Sequence, residues 1–340
     1  CFIAMVLYGA PYFSLPVFAA AWSLIIAGVL QSLVVFVFGR KSGLWVWPRL
    51  SLHHPGVHRL WRLMAPALLG ASMVQISLLI DTFFASWLQN GRISWLYYAD
   101  RLMQFPLGVI GVALGTVVLP SLSRAVAQKR DDLYQRHCDW GLRVVLCMGI
   151  PAALGLIFLA KPLELILYYH GAFSLADLHG SSEALIAFAV GLWAFMAIKV
   201  LVSAFYARYE MKLPVKIAGI AIVCNIILNA LLISSLKHIG IALATSLAAM
   251  LNVALLAFYL QRCNYFVFKR HWLRYIVVIS IASLAMIAYL YFGGYTFASW
   301  LAWSLKQRLL HLALQVFLAI AIYFGVCYLL GFRRAFYRGA

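Results

Sequence analysis

The sequence predicts an all-α protein that crosses a membrane many times. Of its 340 residues, 65% are hydrophobic and 11% are charged, and the mean hydropathy is +0.94. A soluble domain is about 45–50% apolar and about 25% charged, so these values exclude an ordinary soluble protein. Apolar runs of about 20 residues recur along the chain, as expected of helices that cross a bilayer. Most of the basic residues fall between these runs.

The apolar runs predict about nine complete transmembrane helices, preceded by the end of another helix in residues 1–11. The chain opens on Cys1, without an initiator methionine or a signal peptide. We therefore expect a fragment whose earlier helices are missing. The nine predicted spans are 13–38, 64–88, 93–122, 141–168, 182–207, 214–235, 239–261, 273–295 and 309–332.

The connecting segments alternate in charge. When alternate segments are assigned to opposite sides of the membrane, 20 of the 27 Lys and Arg residues fall on one side and five on the other. The positive-inside rule makes the richer side cytoplasmic, so the C-terminus is predicted to lie in the cytoplasm. The net charge of +18 then reflects topology and attraction to anionic lipid headgroups. A nucleic-acid partner is not needed to explain it.

Four charged side chains stand out inside the predicted spans, namely Asp81, Asp100, Arg101 and Lys199. A charge near the centre of a membrane helix costs about 2.5–3.5 kcal/mol on translocon scales, so each should face a partner, a watery cavity or a ligand. Asp100 and Arg101 are consecutive, so their side chains point about 100° apart and do not form a simple facing pair. Two alternatives remain open: Arg101 snorkels to the nearby outer end, or an aspartate neutralises Lys199.

Arg101 and Lys199 together predict a site for an anionic group such as a phosphate or diphosphate, for which arginine offers a bidentate fork. Pro106 removes a hydrogen bond from the same helix and should bend it. Gly111 and Gly115 form a GxxxG pattern that lets another helix approach closely. A helix with such a bend and such glycines is expected to line a cavity and to move.

A second polar set is formed by Asp81, Asn225, Asn229 and Thr245. Asn225 and Asn229 are four residues apart and share one helix face, and Thr245 lies on the next, antiparallel helix. A carboxylate, two amides and a hydroxyl form a hard oxygen set that suits Na⁺. The alternative is ordinary hydrogen bonding between membrane helices.

Two stretches resemble a known family. WLYYADRLMQFPLGVIGVALGTVVLPSLSR (95–124) is similar to the signature of the MurJ (MviN) lipid II flippases. AFYARYEMKLPVKIA (204–218) resembles the segment that joins the tenth and eleventh helices of that family. The resemblance extends over nearly the whole chain. It departs from the family at Tyr169-His170-Gly171, where members often carry Glu-Arg-Gly, and in lacking the first two helices, whose arginines contribute to the cavity.

The resemblance implies a fourteen-helix, two-lobe fold of the multidrug/oligosaccharidyl-lipid/polysaccharide exporter superfamily. This chain would form its C-terminal part. Residues 1–38 would end the N-terminal lobe, 39–63 would form a cytoplasmic interfacial linker, and 64–263 would form the C-terminal six-helix lobe. Residues 264–340 would supply two extra helices that form a groove for a lipid tail.

The resemblance also implies a function, that of a transporter without covalent catalysis. Such a protein flips lipid II across the bacterial cytoplasmic (inner) membrane for cell wall synthesis, in contact with membrane lipids. No cofactor is expected beyond Na⁺ as a possible coupling ion. By the same resemblance, the substrate-binding residues would be Ser94, Asp100, Arg101 and Lys199, and the Na⁺ ligands would be Asp81, Asn225, Asn229, the carbonyl of Ile241, and Thr245.

Two other functions remain open. A related exporter of another polyprenyl-linked glycan, or of drugs, would share the fold and differ only in substrate. A membrane-embedded glycosyl or phosphoryl transferase would need a carboxylate or metal cluster near the interface. The only close acidic pair outside the predicted spans is Asp131-Asp132, in a basic loop where a solvated turn is the simpler interpretation.

Overall fold

The computed structural model describes residues 16–43, 55–88, 91–267 and 271–331, in which helices form the regular structure and no strand occurs. The chain divides into two compact units, Cys1–Trp61 and Arg62–Ala340. The helices are α1 (Pro16–Lys41), α2 (Pro55–Ser86), α3 (Arg92–Pro106), a π-helical segment (Leu107–Val112), α4 (Ala113–Ala127), α5 (Asp131–Leu167), α6 (Leu175–Val190), α7 (Leu192–Ala207), α8 (Lys212–Arg262), α9 (His271–Phe292), α10 (Phe297–Ala302) and α11 (Leu305–Leu329).

Seven helical stretches within the described ranges are long and apolar enough to cross a membrane. They correspond to α1, the α3–α4 span, α5, the α6–α7 pair, α8, α9 and α11. The all-α, multi-pass class predicted from the sequence is therefore confirmed. The number of nine complete spans stays a prediction, in part because α8 alone is 51 residues long.

The chain reverses direction within the range of helix α8. Lys237 has a non-helical backbone (φ 54°, ψ −128°) between the predicted spans 214–235 and 239–261. The segments on either side of it face each other, because Asn225 Nδ2 donates to Thr245 Oγ1 across the turn at 3.2 Å. A Cβ on Gly240 would lie 2.6 Å from the carbonyl oxygen of Leu232, so the turn packs too tightly for a side chain there. The two halves of α8 therefore form an antiparallel hairpin.

Helix α5 lies at the centre of the second unit. It packs against α4, α6 and α7 and also against the last two long helices, α9 and α11. The core around it consists mainly of Leu, Ala, Val and aromatic side chains from all of these helices. Because α9 and α11 pack on one another and on α5, the C-terminal pair is part of the same packed unit.

The span that carries the charged pair departs from regular α-helix directly after Pro106. The π-helical segment Leu107–Val112 follows, and α4 then resumes. A single-turn π segment is often associated with a functional region of a helix. The close helix approach predicted from the two glycines stays a prediction: a Cβ added at Gly111 would be 3.2 Å from Leu107 of the same span and 3.7 Å, an ordinary contact distance, from Met196 of α7, whereas Gly115 has open space.

Several helix boundaries differ from those predicted. Helix α2 begins at Pro55, inside the predicted linker 39–63, and α5 begins at Asp131, ten residues before its predicted span. Both helices extend beyond the apolar run, because a helix need not end where the lipid does. The predicted interfacial linker 39–63 falls partly outside the described residues.

Candidate functional site

Helix α3 carries Arg101 with an exposed side chain. Its Nη1 donates to Gln104 Oε1 at 3.3 Å, and its Cζ lies 4.7 Å from the centre of the Tyr97 ring. Gln104 Nε2 in turn donates to Asp100 Oδ2 at 2.5 Å. As predicted, Asp100 and Arg101 do not form a direct pair, and the structure connects them through the amide of Gln104.

The other two predicted substrate residues lie apart from this cluster in the hydrogen-bond network. Ser94 is exposed near the start of α3, and Lys199 is exposed on α7, whose helix packs against the π-helical segment and α4. The Ser203 hydroxyl donates to the backbone carbonyl of Lys199 at 2.7 Å. In the described ranges, no ion pair joins Lys199 to Asp81 or Asp100, so these aspartates do not neutralise it here.

The predicted oxygen set is assembled around Asp81. Asn229 Nδ2 donates to Asp81 Oδ1 at 2.9 Å and to Asn225 Oδ1 at 3.0 Å. The Thr245 hydroxyl lies 2.9 Å from Asp81 Oδ2 and 3.0 Å from the carbonyl oxygen of Ile241. The hairpin of α8 thus brings its two halves together against the carboxylate of α2.

The side-chain oxygen of Asn229 indicates whether this oxygen set can hold a cation. Asn229 is fully buried, and its Oδ1 has no hydrogen-bond partner among the described residues. A buried acceptor without a donor costs free energy, and a hard cation would satisfy it. The donor set of carboxylate, amide, hydroxyl and carbonyl oxygens therefore fits Na⁺. In the part of the chain that the structure describes, no cluster of three or more His, Cys, Asp or Glu side chains could hold a softer metal.

The sequence reasoning missed a polar cluster at the start of α3. Trp95 Nε1 donates to Asp177 Oδ1 at 2.7 Å, and the Ser181 hydroxyl lies 3.2 Å from the Trp95 carbonyl and 2.7 Å from Glu164 Oε1. The indole also covers Gly180 so closely that a Cβ there would lie 2.3 Å from a ring carbon. We call Trp95, Asp177, Gly180, Ser181 and Glu164 the Trp95 clamp. It fixes the start of α3, ahead of Asp100 and Arg101, against α5 and α6.

A buried ion pair was also missed. Asp139 and Arg143 of α5 are hydrogen-bonded to each other, Trp272 Nε1 of α9 donates to Asp139 Oδ1 at 2.7 Å, and Tyr275 Oη donates to the Arg143 carbonyl. The structure buries Arg143 where α5 meets α9, near the start of the predicted span 141–168. The signal available was the i, i+4 spacing of an acid and a base.

Comparison with known proteins identifies the family. The family model described as "Lipid II flippase MurJ" matches residues 1–311. The chain belongs to the MurJ family. A relative from Vibrio cholerae, "Probable lipid II flippase MurJ", is 41% identical over 328 residues, which cover 96% of this chain and 62% of the relative. The chain thus spans rather less than two thirds of the length of that relative.

Solved structures agree with the MurJ assignment. A "Lipid II flippase MurJ" in an inward closed conformation matches with a TM-score of 0.72 and 27% identity, over 91% of this chain and 62% of that chain. An outward-facing multidrug resistance MATE family transporter of the MOP superfamily matches with a TM-score of 0.54 and 17% identity, over 78% of this chain and 64% of that one. The second likeness shows the fold alone.

Proposed function

We propose that the protein containing this chain flips lipid II from the inner to the outer leaflet of the bacterial cytoplasmic membrane by alternating access. The observation that carries the proposal is the exposed Arg101 guanidinium, on a largely apolar span of a chain that belongs to the MurJ family. Arginine recognises phosphate oxygens bidentately, and lipid II carries a diphosphate. The C-terminus would lie in the cytoplasm, by the distribution of basic residues.

In this proposal the substrate is divided between two environments. The diphosphate-sugar headgroup would enter a cavity lined by Ser94, Asp100, Arg101 and Lys199. The polyprenyl tail would stay in lipid along the C-terminal helices α9 and α11. A rocking motion between lobes, as in other transporters built from repeats, would then expose the headgroup on the outer side. A membrane potential that is negative inside favours outward movement of an anion by about 2.3 kcal/mol per charge per 100 mV.

Sodium binding would reset the empty protein. Asp81, Asn225, Asn229, the Ile241 carbonyl and Thr245 would hold the ion. Bound Na⁺ can favour one conformation only if that conformation binds it more tightly. The support for this role is the assembled oxygen set with its unsatisfied Asn229 Oδ1.

The test of the flippase proposal is export of lipid II in cells whose only flippase gene is the one that encodes this chain. Arg101→Ala should reduce the lipid II that reaches the outer leaflet by at least tenfold at matched protein abundance, because a diphosphate loses a charge-assisted bidentate partner. Lys212→Ala, which removes an exposed cation at the start of α8, is the control and should leave export unchanged.

Each outcome has a distinct meaning. Wild-type protein that never restores lipid II export would contradict the proposed substrate and favour another polyprenyl-linked glycan or a drug. Normal export by the Arg101→Ala variant would contradict the role of the cationic cavity.

A further inference from the structure

The guanidinium of Arg101 is held on two sides by neutral groups. Gln104 Oε1 accepts a hydrogen bond from Arg101 Nη1, and Arg101 Cζ lies 4.7 Å from the centre of the Tyr97 ring. Tyr97 is itself 53% exposed, so the ring is an open platform rather than part of the packed core. The remaining N–H donors of Arg101 make no hydrogen bond to the described residues, and they are available to a ligand.

The spacing of these residues explains why they meet. Tyr97 precedes Arg101 by four positions and Gln104 follows it by three, so all three side chains share one face of α3. Gln104 is also four positions after Asp100, which lets it reach the carboxylate on the neighbouring face. A side-chain amide has both a hydrogen-bond donor and an acceptor. Gln104 can therefore contact the Asp100 carboxylate and the Arg101 guanidinium at the same time.

Because Gln104 contacts both residues, Asp100 does not pair directly with Arg101. The Gln104 amide stands between the carboxylate and the guanidinium, so Asp100 does not occupy the fork of donors that would receive a phosphate group. Its negative charge still attracts the Arg101 guanidinium, but without a direct hydrogen bond between the two groups. The arginine is therefore held in place without being neutralised by a direct ion pair.

We propose that Gln104 and Tyr97 are positioning residues, which orient the Arg101 guanidinium so that its open donors face the diphosphate of the lipid-linked substrate. This inference rests on the proposed flippase function. It extends that function to two side chains that act on the substrate through Arg101. An ordered fork binds a diphosphate more tightly than a mobile one, because less conformational entropy is lost on binding.

The test is a double-mutant cycle on lipid II binding by the purified protein in detergent, read by native mass spectrometry. Gln104→Leu removes both polar groups at nearly constant volume and should weaken binding about five- to tenfold. Tyr97→Leu should weaken it about threefold, whereas Tyr97→Phe keeps the aromatic face and should bind as the wild type does. All variants are compared at equal monodispersity by gel filtration.

The decisive comparison is made in the Arg101→Ala background. If Gln104 and Tyr97 act through Arg101, their substitution should change binding by less than about twofold once Arg101 is absent. If the losses in binding affinity multiply instead, these residues contact lipid II directly or support the fold. That result would overturn this inference and leave the proposed function standing. Lipid II that fails to bind the wild type would overturn the proposed function and this inference together.

Discussion

Several polar residues in these apolar helices have partners at helical spacing on the same helix or on a neighbouring helix. The sequence allowed the set around Asp81 to be predicted, because Asn225 and Asn229 share a face and Thr245 follows on the adjacent antiparallel helix. The role of Gln104 was not predicted, because the candidate residues on this span were chosen by their charge and a side-chain amide is neutral. Glu164 was missed because its position near the end of α5 resembles that of a solvated terminal charge, whereas its side chain is fully buried.

The proposed Na⁺ site leads to a prediction about thermal stability. Adding NaCl should raise the unfolding temperature of the purified protein above the value in equal KCl, because a ligand that binds only the folded state stabilises it. At a Na⁺ concentration of about 100 times Kd, the gain is about 2.7 kcal/mol. Asp81→Asn should abolish the difference between the two salts, because it removes the only carboxylate of the set.

A control separates ion binding from general salt effects. Ser234→Ala alters an exposed hydroxyl on the same hairpin and should keep the full Na⁺ response. Equal stabilisation by NaCl and KCl in the wild type would argue for simple hydrogen bonding between helices instead of a cation site.

At the scale of helices, the chain fixes the start of α3 more firmly than the region after Pro106. The Trp95 clamp joins the start of α3 to α5 and α6, while Val109 and Val112 of the π-helical segment are exposed. Proline and glycine allowed the irregular region to be predicted from the sequence. The clamp could not be predicted, since it depends on a glycine of α6 lying under an indole 85 positions earlier in the chain.

Gly180→Ala should destabilise the packing of α3 on α6. The new methyl group would lie 2.3–2.6 Å from three carbons of the Trp95 ring, so the indole would have to move and strain its bond to Asp177. Overpacking of this kind typically costs about 1–3 kcal/mol. Thermal unfolding in detergent, with intrinsic tryptophan fluorescence as the readout, should show a lower midpoint.

Gly108→Ala is the matched control for that substitution, because it also adds a methyl group to a helical glycine and nothing lies within 4 Å of the added Cβ. Its midpoint should equal that of the wild type or rise slightly. A Gly180→Ala protein as stable as Gly108→Ala would show that Trp95 moves aside without cost.

At the scale of the whole chain, the second unit is organised around α5, and the C-terminal helices are attached to it by polar contacts as well as by apolar packing. Composition and charge distribution were enough to predict an all-α, multi-pass protein. They could not predict that α5 would be central, because a helix covered by others and a helix facing lipid are equally apolar. The Asp139–Arg143 pair marks that difference, since it is buried against Trp272 and Tyr275 of α9.

Breaking this pair should loosen the C-terminal helices. Asp139→Ala would leave Arg143 buried without its carboxylate and the Trp272 N–H without its acceptor. Removal of one partner of a buried pair typically costs about 3–5 kcal/mol. We expect a clearly lower unfolding temperature and faster hydrogen exchange in α9. Asp132→Ala alters an exposed aspartate on the same helix and should have little effect. An unchanged midpoint for Asp139→Ala would contradict this role.

The fit of Trp95 over Gly180 has a consequence for how the family can diverge. Because the indole occupies the space that a side chain at position 180 would need, neither residue can change freely while its partner stays the same. A larger residue at position 180 requires a smaller one at position 95, and the two should therefore covary between homologous sequences. Lineages that have lost the tryptophan are where a bulkier neighbour would be found.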